Sequence, residues 1–80
     1  MKSVHDEVVK LASEIFDVSL EEVSIDSSPE TLVEWDSLSH VQLVLGLEAK
    51  FDIKIPPEDG IEYFTDIGAV VAYIEKNAGA

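Results

Sequence analysis

DSLSHVQLVLGLEAKF, residues 36–51, decides the fold, because it carries the clearest helical pattern in the chain. An aspartate is a favourable N-cap residue, and the aliphatic residues behind it recur at spacings of three and four. Leu43 and Leu47 lie off the stripe that Val41 and Leu45 form. A surface helix usually shows one apolar stripe. The second stripe therefore predicts either deep burial of this helix or a surface that is kept for partner proteins.

The chain before this helix is predicted to form one further helix and a long loop. Segment 3–16 opens with Ser3 at a capping position, and its aliphatic residues again follow the helical period. From residue 17 to residue 35 that period is lost, and the Ser27-Ser28-Pro29 run is a strong breaker of helices. We predict that scattered aliphatic residues fix this loop to the core, namely Val18, Leu20, Val23 and Ile25.

Two consecutive prolines, Pro56 and Pro57, mark the end of the central helical region. A proline disfavours helix in the residue before it, so a helix should not run through this point. A short helical turn is expected farther on, over 61–64, after Gly60.

The last helix is predicted to begin at Thr65, a favourable N-cap residue, and to end near Lys76. Residues 77–80 are expected to be a frayed tail. Three main helices and one short helix, in this order, predict an all-α four-helix bundle with a long first loop. A chain of 80 residues fits a single domain over 1–80.

Charge is the strongest signal in the composition. Seventeen acidic residues against five lysines, with no arginine, give a formal net charge of -12. Such a chain repels nucleic acid and anionic membrane surfaces and attracts basic protein surfaces. The sequence shows no signal-peptide core and no apolar run near the ~20 residues that span a bilayer. We therefore expect a cytoplasmic protein that binds no nucleic acid and has no membrane span.

The sequence offers no residues for thiol or metal chemistry. It contains no cysteine, which excludes disulfides, thiolate zinc sites and cysteine nucleophiles. No segment has the residue spacing of a calcium-binding EF-hand loop. The two histidines, His5 and His40, are too far apart for a zinc-binding pair at positions i and i+4. A chain this short also has little room for a water-excluding cleft, so we predict no metal site and no catalytic residues.

The candidate site is Ser37, which follows Asp36 and should be the first residue of the central helix. A phosphate held there would be stabilised by the positive end of the helix dipole and by unpaired backbone N–H groups. A serine that acts as a nucleophile needs a base that a third group orients, and His40 has no evident partner for that role. Ser37 is therefore predicted to be a hydroxyl that another enzyme modifies.

The run Asp36-Ser37-Leu38, with the helix that follows it, resembles the attachment segment of acyl carrier proteins. Ile53-Lys54-Ile55-Pro56 and the Phe64-Thr65-Asp66-Ile67 start of the last helix are similar to that family as well. The resemblance covers nearly the whole chain in order, and it implies the four-helix carrier fold of that family.

The resemblance also implies the chemistry of the site. Ser37 would carry 4′-phosphopantetheine, which a separate Mg²⁺-dependent transferase takes from coenzyme A, with Asp36 and Leu38 beside it. Acyl groups would be held as thioesters on the terminal thiol of this arm, which agrees with a chain that has no cysteine. The protein would then be a carrier and not an enzyme.

The partners that the resemblance implies are the phosphopantetheinyl transferase and acyl-loading and acyl-processing enzymes with basic docking surfaces. They would bind a monomeric carrier of fatty-acid, polyketide or related biosynthesis. Val41 and Leu45 correspond by position to the family's apolar docking residues, and Glu48 to an acidic one. The inward-facing residues of the same helix would be Leu43, Leu47 and Phe51.

Some residues depart from the family pattern. Trp35 stands where housekeeping fatty-acid carriers usually have a small residue, and Ser39 and Gln42 replace acids that are common on the docking helix. We hypothesise a carrier of a specialised pathway. Trp35 is interpreted as a packing residue with His40 as its neighbour. Gly46 either permits close helix packing or leaves room for an acyl chain.

Two other functions stay open on the sequence. A peptidyl or aminoacyl carrier would have the same fold, because the cargo chemistry lies on the arm and in the partner enzymes. A plain protein-interaction module would use the docking helix without any modification of Ser37. Val41 and Leu45 would also suit ordinary core positions.

Overall fold

Four helices and one short 3₁₀ turn make up the computed structural model, which describes residues 3–77. Over these residues it holds no β-strand, and the predicted all-α four-helix bundle is confirmed. The elements in chain order are α1 (Val4–Phe16), the 3₁₀ turn (Leu20–Glu22), α2 (Ser37–Phe51), α3 (Pro57–Glu62) and α4 (Ile67–Asn77).

Side-chain caps explain where the first two long helices begin. The Ser3 hydroxyl accepts a hydrogen bond from the backbone N–H of Asp6 at 3.1 Å. The Asp36 carboxylate accepts one from the backbone N–H of Ser39 at 2.9 Å. Each bond satisfies a donor that the first turn of a helix otherwise leaves unpaired, so both predicted N-caps are confirmed.

The core lies where α1 packs against both α2 and α4. Leu43 and Leu47 of α2 are fully buried, as predicted, and Phe51 is half-buried against the same core. A Cβ on Gly46 would lie 3.2 Å from Cδ2 of Leu11 and 3.4 Å from Cδ1 of Ile15. Side chains of α1 thus occupy the space beside Gly46, and the structure shows close helix packing there and no room for an acyl chain.

The residues that fix the loop between α1 and α2 to the core differ in part from those predicted. Val23 is buried and Val18 packs against the core, but Leu20 and Ile25 are exposed, so the prediction was wrong for these two. Leu20 lies in the 3₁₀ turn, within the segment for which the sequence predicts a loop. The remaining buried residues of the segment are Ser27, Leu32 and Trp35.

The short helix α3 begins at Pro57, four residues before the predicted turn over 61–64. Proline is well suited to the first position of a helix, because its missing N–H would be unpaired there in any case. Pro57 therefore starts a helix, whereas Pro56 disfavours helix in the residue before it, Ile55. Gly60 lies inside α3 and is buried.

The last helix begins two residues after the predicted cap. The Asp66 carboxylate, not the Thr65 hydroxyl, accepts a hydrogen bond from the first turn, from the N–H of Ala69 at 2.7 Å. The N–H groups of Ile67 and Gly68 are taken by carbonyl oxygens of the long loop, at 2.9 Å each. Asn77 belongs to α4, so the expected fraying is wrong there, and 78–80 lie outside the described residues.

Candidate functional site

Ser37 is the first residue of α2, and its side chain is exposed. Within residues 3–77 no hydrogen bond holds its hydroxyl, which therefore faces solvent at the positive end of the helix. Leu38, the next residue, is also exposed. The three residues of the predicted attachment site, Asp36, Ser37 and Leu38, thus lie together at an open helix start.

The Asp36 carboxylate is committed to the helix. The backbone N–H of Ser39, at 2.9 Å, is the main reason why the pKa of Asp36 lies below its usual value. Hydrogen bonds to the charged form of a carboxylate favour that form, so Asp36 is ionised near neutral pH. It fixes the backbone geometry of the turn on which Ser37 is presented.

A chain of hydrogen bonds runs behind the serine, from the loop through α2 to α3. Trp35 is buried, and its ring stacks on Phe16 with the centroids 5.3 Å apart. Its indole Nε1–H donates to Nδ1 of His40 at 3.0 Å, and Nε2 of His40 lies 2.8 Å from the carbonyl oxygen of Gly60. Trp35 is thus a packing residue with His40 as its neighbour, as predicted, and neither ring nitrogen of His40 is free to serve Ser37.

The outward side of α2 forms an apolar surface with α3. Val41 is 54% exposed and Leu45 58%, so these residues are not ordinary core positions. They line a groove of about 400 Å³ between the two helices. Its other apolar walls are Val44, Ile55, Pro57 and Ile61. Docking at Val41 and Leu45 stays a prediction, and the geometry leaves both residues accessible for it.

Glu48, the acidic docking candidate, makes a contact within its own chain. Its Oε2 accepts a hydrogen bond from the backbone N–H of Ile55 at 2.7 Å. The bond supports the turn from α2 toward α3. Sequence reasoning missed it, because nothing in the residue spacing indicates which N–H of an irregular turn will meet a carboxylate.

Sequence reasoning also missed a hydrogen bond that joins α4 to α3. The Tyr73 hydroxyl donates to the Asp59 carboxylate at 2.7 Å, from α4 to α3. Burial, together with this hydrogen bond, raises the pKa of Tyr73 to about 12. The neighbouring residue of α3, Gly60, accepts a hydrogen bond from His40 of α2. Asp59 and Gly60 thus connect α3 to α4 and to α2. The proline at the start of α3 was the available sequence signal for this element.

The chain is similar to known proteins over nearly all of its length. Residues 6–74 match the family model described as a phosphopantetheine attachment site. The chain is 39% identical to the acyl carrier protein of Wolinella succinogenes over 75 residues, covering 94% of this chain and 97% of that protein. With the acyl carrier protein of Phenylobacterium zucineum (strain HLK1) it is 35% identical over 80 residues, the whole of both chains. The chain is 36% identical to the acyl carrier protein of Amoebophilus asiaticus (strain 5a2) over 76 residues, which cover 95% of this chain and 94% of that protein. Over residues 3–77, no helix is both long and apolar enough to cross a membrane.

Proposed function

The chain belongs to the acyl carrier protein family, whose members hold phosphopantetheine, and from this premise we propose that Ser37 is the residue that carries it. The arm is attached through a phosphodiester on the Ser37 hydroxyl, and its terminal thiol holds acyl intermediates as thioesters. Asp36 and Leu38 flank the attachment point. The protein presents these intermediates to partner enzymes, and residues 1–80 act as a single carrier domain.

The observation that carries the proposal is the Ser37 hydroxyl at the first position of α2, which is exposed and makes no hydrogen bond within residues 3–77. A modifying enzyme can reach this hydroxyl without unfolding the bundle. The phosphate group fits there, because the positive helix end and nearby backbone N–H groups favour an anion. Both ring nitrogens of His40 are engaged elsewhere, so this histidine does not serve Ser37 as a base. The arm supplies the reactive thiol that the chain itself lacks.

The partners follow from this role. A phosphopantetheinyl transferase must act on the apo protein, and acyl-loading and acyl-processing enzymes must reach the end of the arm. The net charge of -12 favours partners with basic surfaces, since opposite charges speed encounter and orient it. The carrier acts as a monomer in this proposal, with the exposed side of α2 available to each enzyme in turn.

The test is the intact mass of the protein after incubation with coenzyme A, Mg²⁺ and a broad-specificity phosphopantetheinyl transferase. We expect a gain of one phosphopantetheine, absent from Ser37→Ala and retained by Ser39→Ala, which removes a hydroxyl two residues away. Circular dichroism checks that each variant is folded. If the folded wild type gains no mass while the transferase modifies another carrier, the proposal is wrong and a plain interaction module is favoured.

The pathway is a separate question, and we propose a specialised pathway over bulk fatty-acid synthesis. Trp35 takes the place of the small residue usual in housekeeping carriers, and it is built into the core beside Phe16. Ser39 and Gln42 leave the docking helix with fewer acids than those carriers have. The holo protein should therefore support elongation by a housekeeping fatty-acid synthase poorly. Elongation as fast as with that synthase's own carrier would contradict this assignment.

A further inference from the structure

Five aromatic rings form a continuous column through the bundle. Each ring lies against the next, with neighbouring centroids between 5.3 and 6.2 Å apart. The order of the rings, from α1 through the loop and α2 to α4, is Phe16, Trp35, His40, Phe64 and Tyr73. Phe16, Trp35 and Phe64 are each at most 3% exposed, so these rings fill the interior. We call this set the aromatic column. It occupies space that a flexible chain entering the core would need.

The aromatic column lies at the end of α2 that begins with Ser37. Trp35 precedes Ser37 by two residues, and His40 follows it by three, which is about one helical turn. An acyl chain that turned inward from Ser37 would therefore meet these two rings first. Farther along α2, side chains of α1 occupy the space beside Gly46. At both places a chain could enter the core only if the helices moved apart.

Hydrogen bonds from the aromatic column hold α3 to its neighbouring helices and oppose such a movement. His40 of α2 is bonded to the Gly60 carbonyl at 2.8 Å and accepts the Trp35 indole N–H at 3.0 Å. On the other side of α3, the Tyr73 hydroxyl of α4 donates to the Asp59 carboxylate at 2.7 Å. Moving α3 outward would break bonds on both of its sides, and partly buried polar groups that lose their partners cost free energy. The column therefore fills the interior and also keeps it closed.

The groove between α2 and α3 offers an acyl chain only partial cover. His40 is one of the residues that line it, so the aromatic column forms part of its wall. Val41, Leu45 and Ile61, which also line the groove, are each more than half exposed. A chain that lay in the groove would therefore keep one side in water, whereas burial in a core removes the whole apolar surface of a chain from water.

We propose that this carrier keeps its acyl cargo outside the core, and that the aromatic column at Trp35 excludes the cargo. Trp35 is then a residue that determines which cargo suits the carrier. That cargo is a short or polar acyl group, because a long alkyl chain left in water is unfavourable. This inference rests on the proposed function, since it names the cargo class of the arm that Ser37 carries there.

The length of the acyl chain separates exposed from sheltered cargo. A broad-specificity phosphopantetheinyl transferase loads the apo protein from butyryl- or dodecanoyl-coenzyme A, which gives two forms that differ only in the alkyl chain. The readouts are the urea midpoint, followed by circular dichroism, and the retention on a hydrophobic-interaction column. Trp35→Ala interrupts the aromatic column. The matched control is Phe51→Ala, which truncates a half-buried ring at the other end of α2.

In the wild type we expect the urea midpoint of the dodecanoyl form to exceed that of the butyryl form by less than about 0.5 M. The dodecanoyl form should also be retained longer, because an exposed alkyl chain binds the column material. Shelter of the additional methylene groups in the core would instead raise the midpoint by more than about 1 M and leave the retention unchanged. Trp35→Ala should show this sheltered behaviour, whereas Phe51→Ala should behave as the wild type does.

The proposal stands if the wild type shows both the small gain in midpoint and the longer retention. A larger gain, or a retention that does not depend on chain length, overturns it, whether or not Trp35→Ala folds. A folded Trp35→Ala that behaves as the wild type does, or a Phe51→Ala that behaves as Trp35→Ala does, would overturn the role of the aromatic column. A folded wild type that cannot be loaded at Ser37 would instead overturn the proposed function, so the two failures are distinct.

Discussion

The Trp35 indole N–H donates to Nδ1 of His40 at 3.0 Å, and this contact determines where His40 carries its proton. An indole nitrogen can only donate, so Nδ1 must be the unprotonated acceptor of the ring. The proton is then on Nε2, which donates to the Gly60 carbonyl at 2.8 Å. Trp35 thus acts through His40 on the position of α3, and so on the groove wall that Ile61 forms.

Trp35→Phe should destabilise the protein by about 1–3 kcal/mol, because it keeps an aromatic ring beside Phe16 but leaves the Nδ1 acceptor of His40 unpaired. Urea unfolding followed by circular dichroism measures the change. His40→Ala should also destabilise, and the double variant should lose less than the sum of the two, since the shared bond is counted twice. Additive losses would show that the hydrogen bond contributes nothing to the coupling of loop and helix.

Local signals explain the parts of the fold that the sequence predicted well. Asp36 stands directly before an uninterrupted helical period, and both its cap and the helix to Phe51 agree with the structure. The register places Leu43 and Leu47 off the stripe of Val41 and Leu45, the family resemblance implies that they face inward, and both are fully buried. Helix caps and the 3.6-residue period depend on neighbours within a few positions, so the sequence suffices for them.

Tertiary contacts explain the parts that could not be predicted. Leu20 and Ile25 are aliphatic residues, but the path of the long loop exposes them and buries Leu32 instead. Composition does not determine that path. The bond from Ile55 to Glu48 likewise forms only after the turn has brought the backbone N–H to the carboxylate. Ser37 was recognisable because helix start, serine and family pattern coincide, whereas the groove beside it depends on where α3 lies.

Gly46→Ala should stabilise the protein by about 0.5 kcal/mol. Alanine favours a helix over glycine by about 1 kcal/mol. The new Cβ meets Cδ2 of Leu11 at 3.2 Å, which is tight, but Leu11 is only partly buried and its side-chain end can move. Ala49→Gly, at an exposed position of the same helix, is the control and should cost about 1 kcal/mol. A loss of stability in Gly46→Ala would mean that α1 cannot yield at Leu11 and Ile15.

The stability that the Asp36 cap contributes should be lost at acid pH. Its folded-state pKa is lowered, so its contribution is fully present above the unfolded pKa of about 3.9 and is lost as the pH falls through the folded value. Asp36→Ala should therefore lower the urea midpoint at pH 7, and its difference from the wild type should shrink below about pH 4. Asp36→Asn, which keeps a capping oxygen, should stay close to the wild type at pH 7. A difference between Asp36→Ala and the wild type that did not change with pH would contradict this.

Tyr73→Phe should destabilise the protein by about 1 kcal/mol at pH 8, because it removes the hydrogen bond to Asp59 and keeps the ring. The ring itself packs edge-on against Phe64, with the centroids 5.4 Å apart. Tyr63→Phe is the matched control, since Tyr63 is more exposed and its hydroxyl makes no hydrogen bond in the described part of the chain. It should change the free energy of unfolding by less than about 0.5 kcal/mol.

The difference in the free energy of unfolding between the wild type and Tyr73→Phe should shrink at alkaline pH. The pKa of Tyr73 is raised from 10.0 to about 12, so between these values the unfolded chain has lost a proton that the folded chain still holds. Stability from Tyr73 is then fully present below about pH 10 and is lost as the pH rises toward 12. Urea unfolding at a series of pH values should show the wild type falling more steeply than Tyr73→Phe over this range. Parallel curves would mean that the folded protein does not hold the Tyr73 proton against Asp59.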